Sequence, residues 1–172
     1  MEVDKDLYPI SGFNFRVTSS EASMGLGALT QLTGIDINSQ DGSFKSVKGI
    51  SATLKFDSYN ELANNNSQIT LPLGISYADL ELSKGIVKRS SSFGQWCSDF
   101  LTSYNTFYMV RRKTVNVFLI DVTKEEILAS WTFYNCYPIN VSVSDFDAMD
   151  GKSIAIETIK LKYSRFQKNS VL

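Results

Sequence analysis

The chain has 172 residues and a mass of 19.2 kDa, which allows one domain with its own core and excludes two domains of ordinary size. Its 17 Lys and Arg balance 18 Asp and Glu to a net charge of -1, so no overall field recruits nucleic acid or an anionic membrane. Histidine is absent, which excludes Ser-His-Asp and Cys-His catalysis and His-ligated metal sites. We therefore expect a protein that is not an enzyme and has no catalytic residue, no cofactor and no metal site.

Two cysteines, Cys97 and Cys136, are too few for a disulfide scaffold or a four-thiolate zinc site, so we expect both to be reduced and buried. No stretch approaches the roughly 20 apolar residues of a membrane-spanning helix. The N-terminus, MEVDKDLYPI, carries acids where a signal peptide carries lysines. We expect synthesis in the cytosol without a signal peptide, and no membrane binding by the protein itself.

Taken in chain order, the first third contains a loop and an alternating strand. Residues 21–41 are rich in Gly, Ser and Thr and are predicted to be a loop. Residues 51–59 alternate between two faces and are predicted to be a half-buried antiparallel strand. Its inward residues are Ala52, Leu54 and Phe56, and its outward residues are Thr53, Lys55 and Asp57.

A second alternating strand follows a polar connection. Residues 60–68 contain three consecutive asparagines and are predicted to be a long exposed connection. Residues 77–84 are predicted to be another half-buried strand, because apolar and polar residues alternate again. Its inward residues are Leu80 and Leu82, and its outward residues are Asp79, Glu81 and Ser83.

Residues 93–104 follow a helical period instead, and Ser91 or Ser92 is placed to cap the helix. The apolar stripe consists of Phe93, Trp96, Cys97, Phe100, Leu101 and Tyr104. Two small basic clusters flank the helix and are predicted to be solvated or to face a partner. They consist of Lys84, Lys88 and Arg89, and of Arg111, Arg112 and Lys113.

The last third is predicted to hold three strands. Residues 115–122 are apolar on both faces, as in a central strand, and pair through a turn at 123–126 with a strand at 131–138 that ends at Pro138. Residues 145–151 lack the ligand spacing of a calcium loop and are predicted to be a polar turn. Residues 155–163 form the clearest alternating strand.

Several short motifs stand in a specific order along the chain. They are FKSVKGI (44–50), YNE (59–61), LPLG (71–74) followed by Tyr77, LELSKG (80–85), Trp96, VFLID (117–121), WTFYNCYP (131–138) and AIET (155–158). This series resembles the tail tube proteins of contractile phages and of phage-tail-like (extracellular contractile injection system) particles. The resemblance covers about residues 44–166, and the chain departs from the family pattern at 60–62 and 136–137.

The resemblance implies a mainly β fold, in which two packed antiparallel sheets form a small β-barrel or sandwich flanked by one α-helix. Six copies are expected to close into a ring, and rings to stack into an inner tube that conducts DNA or effectors. The implied partners are further copies, the sheath protein, baseplate hub and spike proteins, and tape measure and cap proteins. The implied location is an assembled phage tail or extracellular injection particle, after synthesis in the bacterial cytoplasm.

The family uses the loop that corresponds to 59–68 to reach a neighbouring copy. The implied oligomer interface candidates are Tyr59, Asn60, Glu61, Leu62, Asn64, Asn65 and Asn66. The polar strand faces can line a water-filled bore, while a lone sandwich would present the same faces to bulk solvent. The bore-facing candidates are Thr53, Lys55, Asp57, Asp79, Glu81 and Ser83.

Two alternatives stay open at this point. We expect one domain over 1–172 with an extra loop or helical insertion at about 18–41, and this insertion would suit a tube-initiating or adaptor ring on the baseplate hub. The aromatic content of 12% would also suit a β-barrel that binds a small apolar ligand. A discrete ring in solution favours the adaptor, and a stable monomer favours the ligand-binding barrel.

Overall fold

A computed structural model describes residues 13–21, 43–60, 68–86, 92–107, 112–121, 127–144 and 155–169. The elements of these ranges are, in chain order, β1 (Phe13–Glu21), β2 (Ser43–Phe44), β3 (Ser46–Lys48), β4 (Ala52–Asn60), β5 (Gln68–Tyr77), β6 (Leu80–Gly85), α1 (Ser92–Phe107), β7 (Lys113–Asp121), β8 (Ile127–Val143), β9 (Ile156–Lys162) and β10 (Arg165–Asn169). The predicted class, mainly β with one flanking helix, is confirmed. The predicted loop at 21–41, apart from its first residue, and the turn at 145–151 lie outside the described residues.

Eight of these strands form one antiparallel sheet that curls back on itself. Its order is β2-β1-β7-β8-β9-β6-β3, with β10 beside β8. The two end strands, β2 and β3, are separated in sequence only by Lys45, whose backbone N–H donates to the Ser83 carbonyl at 2.8 Å. The opposite ends of the sheet therefore meet at one short segment, which gives the barrel-like sandwich that we call the barrel.

Strand β8 belongs to both layers of the barrel because it bends. Its first half pairs with β7 and β10, and its second half pairs with β9. At the bend, Asn135 has a φ of 56°, a left-handed conformation that asparagine tolerates. The prediction that this strand ends at Pro138 is wrong. The ladder shifts register between Pro138 and Asn140, and such an irregularity accommodates a residue without an N–H.

The core lies between the two layers and under the helix. Its buried side chains include Leu80 and Leu82 of β6, Val115 and Val117 of β7, and Ile159 and Leu161 of β9. This confirms the inward residues Leu80 and Leu82 predicted in 77–84, the alternating strand predicted at 155–163 and the central position predicted for 115–122. Helix α1 packs against β8 and buries Phe93, Trp96 and Cys97, whereas Leu101, which was predicted to lie on the apolar stripe, is 39% exposed.

Strands β4 and β5 form a separate two-stranded antiparallel sheet, which we call the arm. The strand predicted at 51–59 exists, but the prediction that it is half-buried is wrong. Leu54 is 43% exposed and Phe56 is 57% exposed, because the arm packs against the barrel core at its base, through Tyr77, and these two residues lie farther along it. The alternation in this stretch marks an apolar face that the described part of the chain leaves exposed.

Candidate assembly interface

The arm is the outer half of a single long hairpin whose inner half belongs to the barrel. In the barrel, Lys48 of β3 pairs with Glu81 of β6, and in the arm, Ala52 pairs with Tyr77. On each strand, three residues lie between these two pairs, so the register is the same on both sides of the short irregular segment that separates the barrel half from the arm half. We call this segment the break. The chain thus builds one ribbon, anchors its base in the sheet and projects the rest away from the barrel.

Both faces of the arm carry large exposed apolar side chains. Residues directly opposite each other share a face. The pairs Leu54↔Ile75 and Phe56↔Pro72 form an apolar patch on one face, in the half of the arm nearer the barrel. The pairs Tyr59↔Ile69 and Asp57↔Leu71 place a second apolar patch on the opposite face, in the half nearer the tip. The exposed fractions are 43% for Leu54, 57% for Phe56, 57% for Ile75, 54% for Tyr59, 45% for Ile69 and 50% for Leu71.

The edges of the arm are open as well as its faces. In the described part of the chain, β4 pairs only with β5, so each strand leaves one row of backbone N–H and C=O groups for water or for another strand. A long apolar edge of this kind normally causes aggregation unless a partner covers it. The arm therefore has the features of an interface in an assembled protein.

Two of the predicted interface residues, Tyr59 and Asn60, lie at the far end of the arm. Tyr59 is exposed, and its hydroxyl donates to the Asp57 carboxylate at 2.6 Å, which raises the pKa of Tyr59. Asn60 ends β4 and pairs with Gln68. The other five candidates, Glu61, Leu62, Asn64, Asn65 and Asn66, lie outside the described residues. Their role at an interface stays a prediction.

Sequence reasoning missed the residues of β5, which supply half of the apolar surface. This strand contains Pro72 and Gly74, two residues that weaken the pattern of a strand. Pro72 lies beside the register shift that follows Lys55, in a sheet of only two strands where a missing N–H is tolerated. The alternation of Ile69, Leu71 and Leu73 is the signal that could have found it.

The six bore-facing candidates lie on two different sheets. Thr53, Lys55 and Asp57 lie on the face of the arm that also carries Tyr59 and Ile69. Only the half of this face nearer the barrel is polar, because Asp57 already stands opposite Leu71. Asp79 precedes β6, and Glu81 and Ser83 lie on the outer face of β6. The isolated chain does not bring the two groups together, and which of them lines a bore stays a prediction.

The outer face of β3, β6 and β9 carries charges that are paired with one another. Glu81 accepts ion pairs from Lys48 at 3.6 Å and from Lys160 at 3.3 Å. The Lys162 ammonium donates to Asp79 at 2.6 Å, and this hydrogen bond raises the pKa of Lys162. Further along the face, the hydroxyls of Ser83 and Thr158 share a hydrogen bond of 3.2 Å. The result is a polar surface with its charges locally compensated.

One member of the predicted basic clusters, Lys84, does not lie in solvent. Lys84 is 7% exposed, pairs with Glu157 at 3.1 Å and lies 5.6 Å from the centre of the Phe44 ring. It follows Leu80 and Leu82 on the inward side of β6, so alternation rather than charge decides where it points. Arg112 is exposed and lies over the Tyr137 ring, and Lys113 lies over the Trp96 ring. Lys88, Arg89 and Arg111 lie outside the described residues.

Both cysteines are free and fully buried, as predicted. Burial raises the pKa of each thiol to about 12, so neither is a nucleophile at neutral pH. Within the described ranges, no group of three or more Cys, Asp or Glu side chains is arranged to hold a metal ion. None of the helical structure in those ranges is long and apolar enough to cross a membrane.

Known structures share this architecture along nearly the whole chain. A chain in the cryo-EM structure of the anti-feeding prophage cap has a TM-score of 0.69 at 21% identity, covering 99% of this chain and 95% of its own. A chain in the PVC sheath-tube complex, an extracellular contractile injection system in the extended state, has a TM-score of 0.69 at 19% identity, covering 99% and 100%. Hcp1 from Salmonella typhimurium has a TM-score of 0.53 at 14% identity, covering 92% and 86%.

The sequence itself is assigned by a family profile. No curated protein sequence matches the chain. The profile of the T4-like virus tail tube protein gp19 family matches residues 11–167, a range that includes the barrel, the helix and the arm. This range contains every motif on which the resemblance in the sequence was based. The chain therefore belongs to the T4-like virus tail tube protein gp19 family.

Proposed function

We propose that this chain is the structural subunit of the inner tube of a contractile tail or injection particle, and that its copies form stacked hexameric rings. The arm carries the proposal, because it presents apolar side chains on both faces and an open edge on each strand. The barrel supplies the rigid body and the arm supplies the contact. The function is mechanical, and none of its steps is chemical.

Two separate surfaces must contact the arm to bury its apolar patches, because the patches lie on opposite faces. Burying a large apolar side chain that was exposed contributes roughly 1.5–3 kcal/mol, and the arm offers seven such side chains. Covering both patches in an assembly therefore offsets part of the entropic cost of association. Because the chain is the same in every copy, a surface that meets a different patch of the next copy closes by rotation or propagates by stacking.

The polar outer face of β3, β6 and β9 is the best candidate for the wall of the bore. Its ion pairs leave few uncompensated charges to hold a passing cargo, so DNA or a protein effector can slide along it. Asp79, Glu81 and Ser83 belong to this face. Thr53, Lys55 and Asp57 reach the bore only if the arm of the same or a neighbouring copy extends the wall.

We propose the sheath protein, the baseplate hub and spike, the tape measure and the cap as the partners of the tube. Structures with the same fold were determined in a sheath-tube complex, a tube-terminating cap and a baseplate, which supports this set. The proposed site of action is the assembled phage tail or extracellular particle, reached after synthesis in the bacterial cytoplasm. The interior of the barrel is filled by its own side chains, which favours a tube subunit over a ligand-binding barrel.

Substitution on one face of the arm tests the proposal. In Phe56→Ser, the apolar patch nearer the barrel loses its largest side chain, and Ser58→Ala is the matched control on the same strand and face. We expect rings and tubes for wild type and for the control, and only monomers for Phe56→Ser, by sedimentation velocity and negative-stain images. Normal tubes from Phe56→Ser, or no assembly of wild type at any concentration, would contradict the proposal.

The same images separate the main tube from an adaptor ring. Tubes of many lengths indicate a subunit that stacks without limit. A single discrete ring, with no longer species at high concentration, indicates a tube-initiating ring on the baseplate hub. The fold does not distinguish these two roles, because the chain in the anti-feeding prophage baseplate has a TM-score of 0.68 and the chain in the PVC sheath-tube complex has 0.69.

A further inference from the structure

The break between the barrel half and the arm half of the hairpin is built from unusual backbone. Gly49 has a φ of 85°, and a Cβ at this position would collide with the backbone carbonyl of Asp79. The Ser51 N–H donates to the Gly49 carbonyl at 2.9 Å, and the Ala78 N–H donates to the Ser51 carbonyl at 3.4 Å. The regular ladder is replaced here by a tight turn, which makes this segment the natural point for the ribbon to bend.

One barrel side chain reaches across this break. Tyr163 follows β9, and its hydroxyl lies 3.2 Å from the carbonyl of Gly49 and 3.5 Å from that of Ser51. Tyr163 is 7% exposed, and burial raises the pKa of its hydroxyl, so the hydroxyl keeps its proton and remains a donor at physiological pH. The hydroxyl therefore ties the barrel to the two carbonyls on the β3–β4 side of the break.

The ring of Tyr163 holds the opposite strand. Tyr77, the last residue of the arm, lies 5.5 Å from the Tyr163 ring and 5.9 Å from the Phe166 ring, measured between centroids. Phe133 lies 5.0 Å from Tyr163 on the core side, with its ring nearly perpendicular at 72°. Pairs in this range prefer tilted or edge-to-face geometry and contribute beyond simple burial. Tyr163 thus contacts both strands of the ribbon where they leave the barrel.

We propose that Tyr163 is a positioning residue that fixes the direction of the arm, and that a fixed direction is what allows one copy to meet the next with a defined geometry. This inference rests on the proposed function for its consequence in assembly, but the direction of the arm is a property of the single chain. An arm that pivots freely at Gly49 would have to lose that freedom on every contact, which weakens association.

Spin-label distances test the direction of the arm directly. Labels at Thr70→Cys on the arm and Gln167→Cys on the barrel report the distance distribution, in protein diluted below the concentration at which it assembles. The native thiols are buried and unreactive, so the two labels go to the introduced sites. Tyr163→Phe removes the hydroxyl and keeps the ring. Tyr134→Phe is the control, since Tyr134 is a barrel tyrosine whose ring stacks with Arg165.

We expect a narrow distribution for wild type and for Tyr134→Phe, and one at least twofold broader for Tyr163→Phe. The critical concentration for tubes should rise roughly five- to tenfold in Tyr163→Phe, the effect of one net hydrogen bond. Tyr77→Leu removes the ring contact with Tyr163 and leaves the Tyr163 hydroxyl in place, and it should also broaden the distance distribution. An unchanged width in both variants would overturn the inference, even if their melting temperatures fall, because lost packing alone does not turn the arm.

The two proposals can fail separately. If wild type never assembles while Tyr163→Phe still broadens the distance distribution, the inference about the arm stands and the proposed function fails. If wild type forms tubes, and Tyr163→Phe and Tyr77→Leu both form them at the same concentration with the same distance distribution, the proposed function stands and this inference fails.

Discussion

Strands β4 and β6 have the same kind of sequence and opposite fates. Both alternate apolar and polar residues, and both belong to one hairpin whose register continues from the barrel into the base of the arm. In β6 the apolar residues Leu80 and Leu82 are fully buried in the barrel core, whereas in β4 Leu54 and Phe56 remain exposed. The difference shows that an alternating pattern predicts an apolar face that will be buried, but not whether the same chain or another copy buries it.

This comparison also separates two kinds of stability. A side chain in the barrel contributes to the free energy of unfolding of one chain, while a side chain on the arm contributes to association. Measuring both quantities for matched substitutions in the two regions can therefore break or sharpen the division. We expect the following effects on the free energy of unfolding, from the largest to the smallest.

The largest expected effect is in the aromatic cluster of the barrel. Phe133 is fully buried and contacts Tyr163 and Phe166, so Phe133→Ala should lower the free energy of unfolding by about 3–5 kcal/mol. Leu73→Ala on the arm, where Leu73 is 67% exposed, should change it by less than about 0.5 kcal/mol. Urea unfolding at a concentration where the chain is monomeric measures both. Equal losses would show that the arm packs on its own barrel.

A smaller effect is expected at the buried ion pair of the barrel. Lys84→Met leaves Glu157 without the cation 3.1 Å away and should cost roughly 3 kcal/mol, at the low end for buried pairs because Glu157 keeps some contact with water. The double variant Lys84→Met with Glu157→Gln should recover most of that loss. Lys48→Met is the control, as its exposed pair with Glu81 contributes about 0–1 kcal/mol. If the double variant is no better than the single one, Lys84 acts through packing and not through its charge.

The smallest effect concerns the two thiols. The pKa of each thiol is about 12 in the folded chain, against an ordinary value of 9.0. Above pH 9 the thiols of the unfolded chain ionise while those of the folded chain stay protonated, which favours the unfolded state. The stabilising contribution of the protonated thiols is therefore complete below pH 9 and is lost as the pH rises from 9 towards 12. In that window each thiol should lower the free energy of unfolding by about 1.4 kcal/mol for each unit by which the pH rises. Unfolding at pH 8, 9 and 10 for wild type and for Cys97→Ala with Cys136→Ala measures the difference. Identical slopes would mean that the thiols are not shielded from water.

Much of the barrel could be predicted from local patterns. The helix at 93–104 and the strands at 115–122 and 155–163 are confirmed, because a periodic apolar face indicates the element that can bury it. The strand predicted at 77–84 is confirmed only from Leu80 onwards, since Tyr77 ends β5 in the arm. The predicted end at Pro138 is wrong, since the missing N–H falls at a register shift that sequence cannot place. Strand β1 was not predicted, although Phe15 and Val17 alternate with Asn14 and Arg16 as a strand requires.

Less of the candidate site could be predicted. The motif series led to the correct family and to the end of the arm at Tyr59, but β5 was missed because Pro72 and Gly74 interrupt its pattern. The burial of Lys84 was missed because a cluster of basic residues ordinarily lies in solvent. The contact of Tyr163 with Gly49 joins residues 114 positions apart, and nothing in the periodicity of either segment indicates it.

Sequence alone determined the class of the protein, the helix, four of the eight described barrel strands and the family, because periodicity and ordered motifs are local properties of the chain. The tertiary structure decided which apolar faces are covered, where the hairpin leaves the sheet and which side chain holds it there. These depend on contacts between segments far apart in sequence, and a pattern within one segment carries no information about what lies against it.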